Sequence, residues 1–179
     1  METHKKKTHT VNLRANNALE VLRDYDFVID GTDNFAAKFL VADTCYFACK
    51  PYSHAGILQY DGQTMTVIPG QTGCYRCLFD APPPPGAVPS CSQAGVLGVL
   101  AGIMGTIQAT EALKHVLDIG DLLTDRLLVF NALKMRFREA AFKRNPACRL
   151  CGSTPTITTL RDEIPDADVY APRKNDGVT

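Results

Sequence analysis

The chain has 179 residues, with Lys+Arg and Asp+Glu both at 19, no net charge, and 45% apolar residues. That size and apolar content fit one domain with a real core, and the charge balance excludes the basic footprint of a nucleic-acid binder. The seven cysteines are an odd number, which argues against a plain disulfide framework; four of them form two C-x-x-C pairs, the pattern of a reduced, metal-binding protein. The N-terminus carries no apolar stretch, so no signal peptide is expected. The longest apolar run, Ala94–Ile107, is too short and too glycine-rich to span a bilayer. The expectation is a soluble, cytoplasmic protein with no nucleic-acid or membrane partner, and Lys5-Lys6-Lys7 reads as a solvated end.

In chain order, Asn16 or Asn17 caps a short helix through Arg23. Tyr25–Asp30, ending at Gly31, reads as a buried parallel strand before a βα turn. Asn34–Lys50 is helical: Phe35, Phe39, Ala42, Tyr46 and Cys49 recur at three- and four-residue steps and share a face, and Pro51 ends the helix. Tyr52–Leu58 and Gln63–Ile68 are strand-like, with Asp61-Gly62 as the hairpin turn. Residues 80–90 hold five prolines, four of them consecutive, and form a stiff, exposed loop. A glycine-rich helix spans Gly95–Leu117. Two strands, Arg126–Phe130 and Met135–Phe142, follow, and the polar tail after Gly152 lacks periodicity. The fold class is therefore α/β, with a sheet that looks incomplete on its N-terminal side.

Cys74-Tyr-Arg-Cys77 and Cys148-Arg-Leu-Cys151 supply four thiolates, enough for a closed tetrahedral Zn²⁺ site. The segment between them, 78–147, exceeds the usual zinc-ribbon gap. Closing it costs about 4 kcal/mol of chain entropy, whereas structural zinc contributes about 10–16 kcal/mol in small peptides, so the metal prevails. The competing reading is a pair of redox motifs or idle thiols. Four filled positions leave no open site, so such a zinc is structural.

Asp30-Gly-Thr-Asp33-Asn34 lies at a strand's carboxyl end, where α/β sheets bind ligands. Asp33 either holds the Mg²⁺ of a nucleotide or caps the helix that begins at Asn34. Cys91 follows the proline loop at a helix entry, where a thiol has a lowered pKa; it is either a nucleophile or a small residue at that entry. The stretch Gly95-x-x-Gly98-x-x-x-Gly102-x-x-Gly105 is no phosphate loop; its glycines line one helical face and invite close packing, including packing between subunits. Cys45, Cys49 and His54 indicate no site.

Four segments together, VIDGTDNFAAKFLVAD at 28–43, GCYRCLFDAPPPPGAVPSC at 73–91, SQAGVLGVLAGIMGTIQATEALK at 92–114 and NPACRLCG at 145–152, resemble the ThiF/MoeB/HesA family, which is related to ubiquitin-activating enzymes. The likeness runs over roughly residues 10–160, and is nearest to members that activate the carrier for molybdopterin synthesis or tRNA thiolation. It implies a truncated Rossmann-like sheet with flanking helices, a hairpin and a four-cysteine zinc site. Residues 1–160 would be the C-terminal part of an adenylation domain whose nucleotide-binding half is absent, and 161–179 a disordered tail. The implied function is ATP-dependent adenylation of the C-terminal glycine of a ubiquitin-like sulfur-carrier protein. The resemblance makes Cys74, Cys77, Cys148 and Cys151 the Zn²⁺ ligands, gives Asp33 and Asn34 a nucleotide role with Asp33 on Mg²⁺, and matches Cys91 to the cysteine that in some members accepts the acyl group. The family's glycine loop, acidic ribose ligand and phosphate-gripping arginines and lysine have no counterpart here, so this chain is expected to be inactive alone. The partners implied are the carrier and a second copy or an intact subunit. The alternative is a non-catalytic, zinc-stabilised module that binds the carrier or dimerises with an intact enzyme.

Overall fold

A computed structural model describes residues 7–84, 87–88 and 94–163. Its elements are α1 (Ala18–Leu22), β1 (Val28–Asp30), α2 (Phe35–Phe47), β2 (Tyr52–Leu58), β3 (Asp61–Val67), α3 (Tyr75–Leu78), α4 (Val99–Leu117), β4 (Arg126–Asn131) and β5 (Arg136–Ala141). The strands make one five-stranded sheet in the order β1-β2-β3-β4-β5. β1 pairs parallel to β2, with Asp30 opposite His54, and the other pairs are antiparallel. The expected α/β class holds. The helices lie on the two faces of the sheet, α2 on one and α4 on the other.

Around α1 and β1 the local readings shift. Asn17 stands at the N-cap of α1 but makes no capping bond. Its Oδ1 accepts the Arg14 N–H at 2.8 Å and its Nδ2 donates to the Asn12 carbonyl, so it fixes the turn before the helix instead. Only three residues of the expected first strand pair, and Ile29 is 47% exposed because β1 is an edge strand.

α2 is capped by Asn34, whose Oδ1 accepts the Ala37 N–H at 2.8 Å. Every residue from Lys38 to Cys45 is buried. The single apolar stripe expected of this helix gives way to burial all round, because the sheet covers one side and α1 and the segment around Arg76 cover the other. Phe35 and Cys49, at the ends of the expected stripe, are exposed. The helix stops before Pro51: Cys49 takes φ 52°, and the Lys50 N–H returns to the Cys45 carbonyl at 2.8 Å, a left-handed cap.

The hairpin turn is at Gln59-Tyr60, not at Asp61-Gly62. Leu58 pairs with Asp61 and Ile57 with Gly62, and Gln59 takes the positive φ of 52°. Asp61 accepts an amide hydrogen bond from Asn131, and a Cβ on Gly62 would stand 2.9 Å from Met104 of α4. The Asp-Gly pair therefore serves strand contacts. α4 begins at Val99, four residues later than its glycine pattern predicts, because 95–97 form a short bridge to Gln59. The close packing expected along its glycines is not made within the described residues: nothing lies within 4 Å of a Cβ built on Gly98, Gly102 or Gly105.

Candidate metal centre and ligand pocket

The two C-x-x-C segments meet on the α2 face of the sheet. Cys74 stands at the N-cap of α3 and Cys77 lies within it, and Cys148 and Cys151 lie in a turn after β5. The Sγ atoms of Cys74, Cys77, Cys148 and Cys151 all lie within 4.8 Å of one another. Individual separations are 3.7 Å for Cys74–Cys77, 3.5 Å for Cys74–Cys148 and 3.3 Å for Cys77–Cys151. Those are far longer than a disulfide, about 2.0 Å, and close to the roughly 3.8 Å edge of a tetrahedron with about 2.3 Å metal–sulfur bonds. Backbone N–H groups point at the sulfurs: Asn145 to Cys77, and Leu150 and Cys151 to Cys148. Gly152 makes the second turn possible, since a Cβ there would stand 2.5 Å from the Cys148 and Pro146 carbonyl oxygens.

Electrostatics favour a cation at this point. Burial, followed by the neighbouring Cys151, pushes the Cys74 thiol up, and burial raises Cys151 to about 11. Burial also opposes ionisation of Cys148, but the N–H groups of Cys151 and Leu150 outweigh it and lower that thiol. Four thiolates this close repel one another unless a cation sits among them. The donor set is all sulfur, as a tetrahedral soft-metal site requires. The four residues can hold a metal ion.

Between the two cysteines of the first pair, Arg76 is buried at 2% exposure. Its guanidinium grips both Asp43 carboxylate oxygens at 2.8 Å, donates to the Asp80 carbonyl at 2.9 Å, also pairs with Glu163, and lies over the Phe39 ring at 4.7 Å. Nothing in the spacing of the sequence marks these partners; an arginine between the two cysteines of a C-x-x-C pair is the one available signal.

At the other end of α2 lies a cavity of about 250 Å³, lined among others by Arg14, Thr32, Asp33, Asn34, Asp162 and Glu163. The turn that carries Asp33 is clamped from below. Asp30 Oδ1 accepts the Thr32 N–H at 2.9 Å and hydroxyl at 2.6 Å, while Oδ2 accepts Lys38 Nζ at 3.3 Å and lies 3.1 Å from His54 Nδ1. Gln108 of α4 donates to the Asp30 and Ser53 carbonyls. Burial opposes ionisation of Asp30, but the His54 hydrogen bond and the Lys38 charge outweigh it and bring the carboxyl down to about 2. Burial lowers His54, so its neutral ring donates from Nδ1 to the carboxylate.

Of the residues singled out in the sequence, the four knuckle cysteines come together. The helix cap belongs to Asn34, so capping does not account for Asp33. Cys91 lies outside the described residues. His54, read as no site, belongs to the Asp30 cluster. Cys45 is buried, with its thiol pushed up to about 12 by burial. Among the described residues no helix is long and apolar enough to cross a membrane.

The model of the ThiF family matches residues 3–150. The chain is 47% identical over 161 residues to the sulfur carrier protein adenylyltransferase of Thermus thermophilus, covering 87% of this chain and 59% of that protein. It is 39% identical over 157 residues to adenylyltransferase and sulfurtransferase MOCS3 of Drosophila persimilis, covering 35% of that protein. It thus spans about a third to three-fifths of the length of these relatives. The crystal structure of E. coli MccB with MccA-N7isoASN superposes with a TM-score of 0.69 at 18% identity, over 81% of this chain and 46% of that one, which is a likeness of fold. With the family model matched over most of its length and the four cysteines gathered as that family's pattern implied, the chain belongs to the ThiF family.

Proposed function

We propose that these residues form part of an ATP-dependent adenylyltransferase that activates the C-terminal glycine of a ubiquitin-like sulfur-carrier protein. The observation that carries the reading is the Asp33 pocket at the carboxyl end of β1, its capping role taken by Asn34. The names of the relatives point the same way. In the proposed reaction the carrier's carboxylate oxygen attacks the α-phosphate of ATP. The bond to the β-phosphate oxygen breaks, giving the acyl-adenylate and pyrophosphate. Asp33 would hold Mg²⁺, which neutralises phosphate charge when bound, with Asn34 beside it. The thiolate of Cys91 would then attack the acyl carbonyl, forming a thioester and releasing AMP. Cys74, Cys77, Cys148 and Cys151 would hold one structural Zn²⁺. The setting is the cytoplasm, the pathway molybdenum cofactor synthesis or tRNA thiolation, and the enzyme a homodimer or a pair with an intact subunit.

Carrier-dependent pyrophosphate exchange tests this on the complete product of the gene that encodes these residues. Asp33→Asn should abolish exchange, and undiminished exchange would remove Asp33 from the metal. Cys91→Ser should abolish the covalent carrier adduct and leave exchange nearly intact; loss of both would make the cysteine structural. Residues 1–179 alone should show neither ATP binding nor exchange. Residues 1–30 contain no glycine, so residues 1–179 by themselves supply no glycine loop to cradle phosphates. Robust exchange by these residues alone would overturn the assignment of the machinery.

The uncovered face of α4, with Val99 and Val116 64% and 66% exposed, favours a second reading. There the chain is a non-catalytic, zinc-stabilised module that binds the carrier or pairs with an intact enzyme. Carrier binding without exchange, by the complete gene product, would select it.

A further inference from the structure

The metal centre and the Asp33 pocket lie at opposite ends of α2, and one side chain touches the route between them twice. Arg76 sits between Cys74 and Cys77, so its backbone is held by two of the four sulfur ligands. Its guanidinium binds Asp43 in the second half of α2, the helix whose first turn starts at Asn34 beside Asp33. The same guanidinium binds Glu163, which lines the pocket directly. The neighbouring Asp162 also lines the pocket and accepts the Ala15 N–H at 3.1 Å, tying down the segment from Asn12 to Arg14 that forms the opposite wall.

We propose that Arg76 is a positioning residue that transmits occupancy of the four-cysteine centre to the pocket beside Asp33. With metal bound, α3 is fixed and Arg76 holds α2 and the 162–163 segment in register. With metal gone, the two C-x-x-C turns separate, Arg76 loses its fixed base, and both pocket walls loosen. The buried guanidinium strengthens the link. A bidentate pair has one geometry, and groups sharing a buried network couple more strongly than separate contacts. This inference rests on the reading of the pocket as the nucleotide side only for its consequence. The coupling itself is tested without nucleotide.

The test is hydrogen exchange by mass spectrometry on the full chain, with and without a zinc chelator, with metal content measured in parallel. In wild type, chelation should speed exchange about tenfold in peptides over 12–15 and 35–43, a coupling of the size seen within one network. Arg76→Gln should keep one metal per chain, show that faster exchange already, and respond little to chelation there. Arg76→Lys keeps the charge without the bidentate grip and should fall between. Glu163→Gln, at a residue that is only partly buried, covers the case in which Arg76→Gln fails to fold: it should speed exchange near Ala15 alone. Unchanged exchange at 12–15 and 35–43 on chelating wild type would overturn the proposal. So would a metal-bound Arg76→Gln that exchanges like wild type, or an unaltered Ala15 region in Glu163→Gln. Failure of Asp33→Asn to affect pyrophosphate exchange would remove the nucleotide role and leave this coupling standing.

Discussion

Among the described residues, fourteen buried ones on the α2 face of the sheet form one cluster that includes Phe39, Tyr52, Met65, Tyr75 and three of the knuckle cysteines. On the α4 face the corresponding cluster has four described members: Ala55, Leu100, Met104 and Phe130. α4 is instead held through polar side chains. Gln108 donates to two backbone carbonyls, of Asp30 in β1 and Ser53 in β2, and Glu111 accepts from Thr66 and from the Leu123 N–H. Hydrogen bonds fix position but add little net stability, about 1 kcal/mol each. Apolar area and a metal staple add much more. The α2 face is thus closed on itself, whereas α4 is accurately placed and weakly covered. Ile29, in register with Ser53 on the α4 face, is half exposed, which extends the uncovered surface to the sheet's edge.

The sharpest way to break that comparison is to remove the metal. Cys148→Ser, or chelation, should abolish metal binding and cost about 5 kcal/mol, the size reached when a structural metal is lost, while leaving the chain folded. The loss should appear first on the α2 face, because the centre ties residues 74–77 to 148–151 and so closes the chain around α4, β4 and β5. Metal content by elemental analysis and a thermal melt check it. Reduced native protein with no metal and an unchanged melt would show that no metal staples this face.

Matched truncations sharpen it. Phe39 and Phe130 are equally buried, one on each face. Phe→Ala changes cost about 3–5 kcal/mol, and the cost depends on how far the neighbours collapse into the cavity. Phe39 packs edge-on against Tyr75 and under Arg76, both tied to the knuckle, so its surroundings cannot relax and Phe39→Ala should lie at the upper end. α4 is free on its outer side, so Phe130→Ala should lie at the lower end. Urea midpoints with unchanged slopes measure both, and equal costs would say that the two faces are equally rigid.

Below these stands the buried Asp30 cluster under the pocket. Its folded pKa, about 2, is depressed from 3.8. Its contribution, roughly 2 kcal/mol, is therefore fully present above the unfolded value and is lost as pH falls from about 4 through 2. His54, whose pKa is also lowered, acts earlier. Its unfolded form takes up a proton below about pH 6.5 while the folded form stays neutral, so stability starts to fall there. Stability against pH should decline in two steps on acidification. Asp30→Asn should flatten the lower one and cost several kcal/mol at neutral pH by leaving buried Lys38 without its carboxylate partner.

Much of this is legible in the sequence alone. The C-x-x-C spacing announces that four thiols gather at one point, which the fold bears out. The α2 helix follows from the three- and four-residue recurrence of its apolar residues, although its N-cap is Asn34 and not Asp33. What is not legible depends on contacts distant in sequence. Asp61-Gly62 has the composition of a turn, yet the turn falls on Gln59, whose positive φ no propensity marks. Asp30, Lys38, His54 and Gln108 come from four different elements, and only the parallel pairing of Asp30 with His54 brings them together. The partners of Arg76, Asp43 and Glu163, lie 33 and 87 residues away, and no local pattern links them to it.

The smallest expected effect tests the uncovered side of α4. Leu100, Met104, Gln108 and Glu111 face the sheet at steps of four, four and three, while Val99, Leu113, Val116 and Leu117 point outward and are each at least 60% exposed. An outward apolar side chain that buries little area gains little from folding, so Leu113→Glu or Val116→Lys should change stability by no more than about 0.5 kcal/mol. If anything they raise solubility, by breaking up an apolar patch. The two variants should therefore have the same urea midpoint as wild type and, at high concentration, a smaller sedimenting mass wherever wild type self-associates. A drop of several kcal/mol in either would mean that the outward face is already buried in solution. The asymmetry between the two faces of the sheet would then belong to the isolated chain and not to the protein at work.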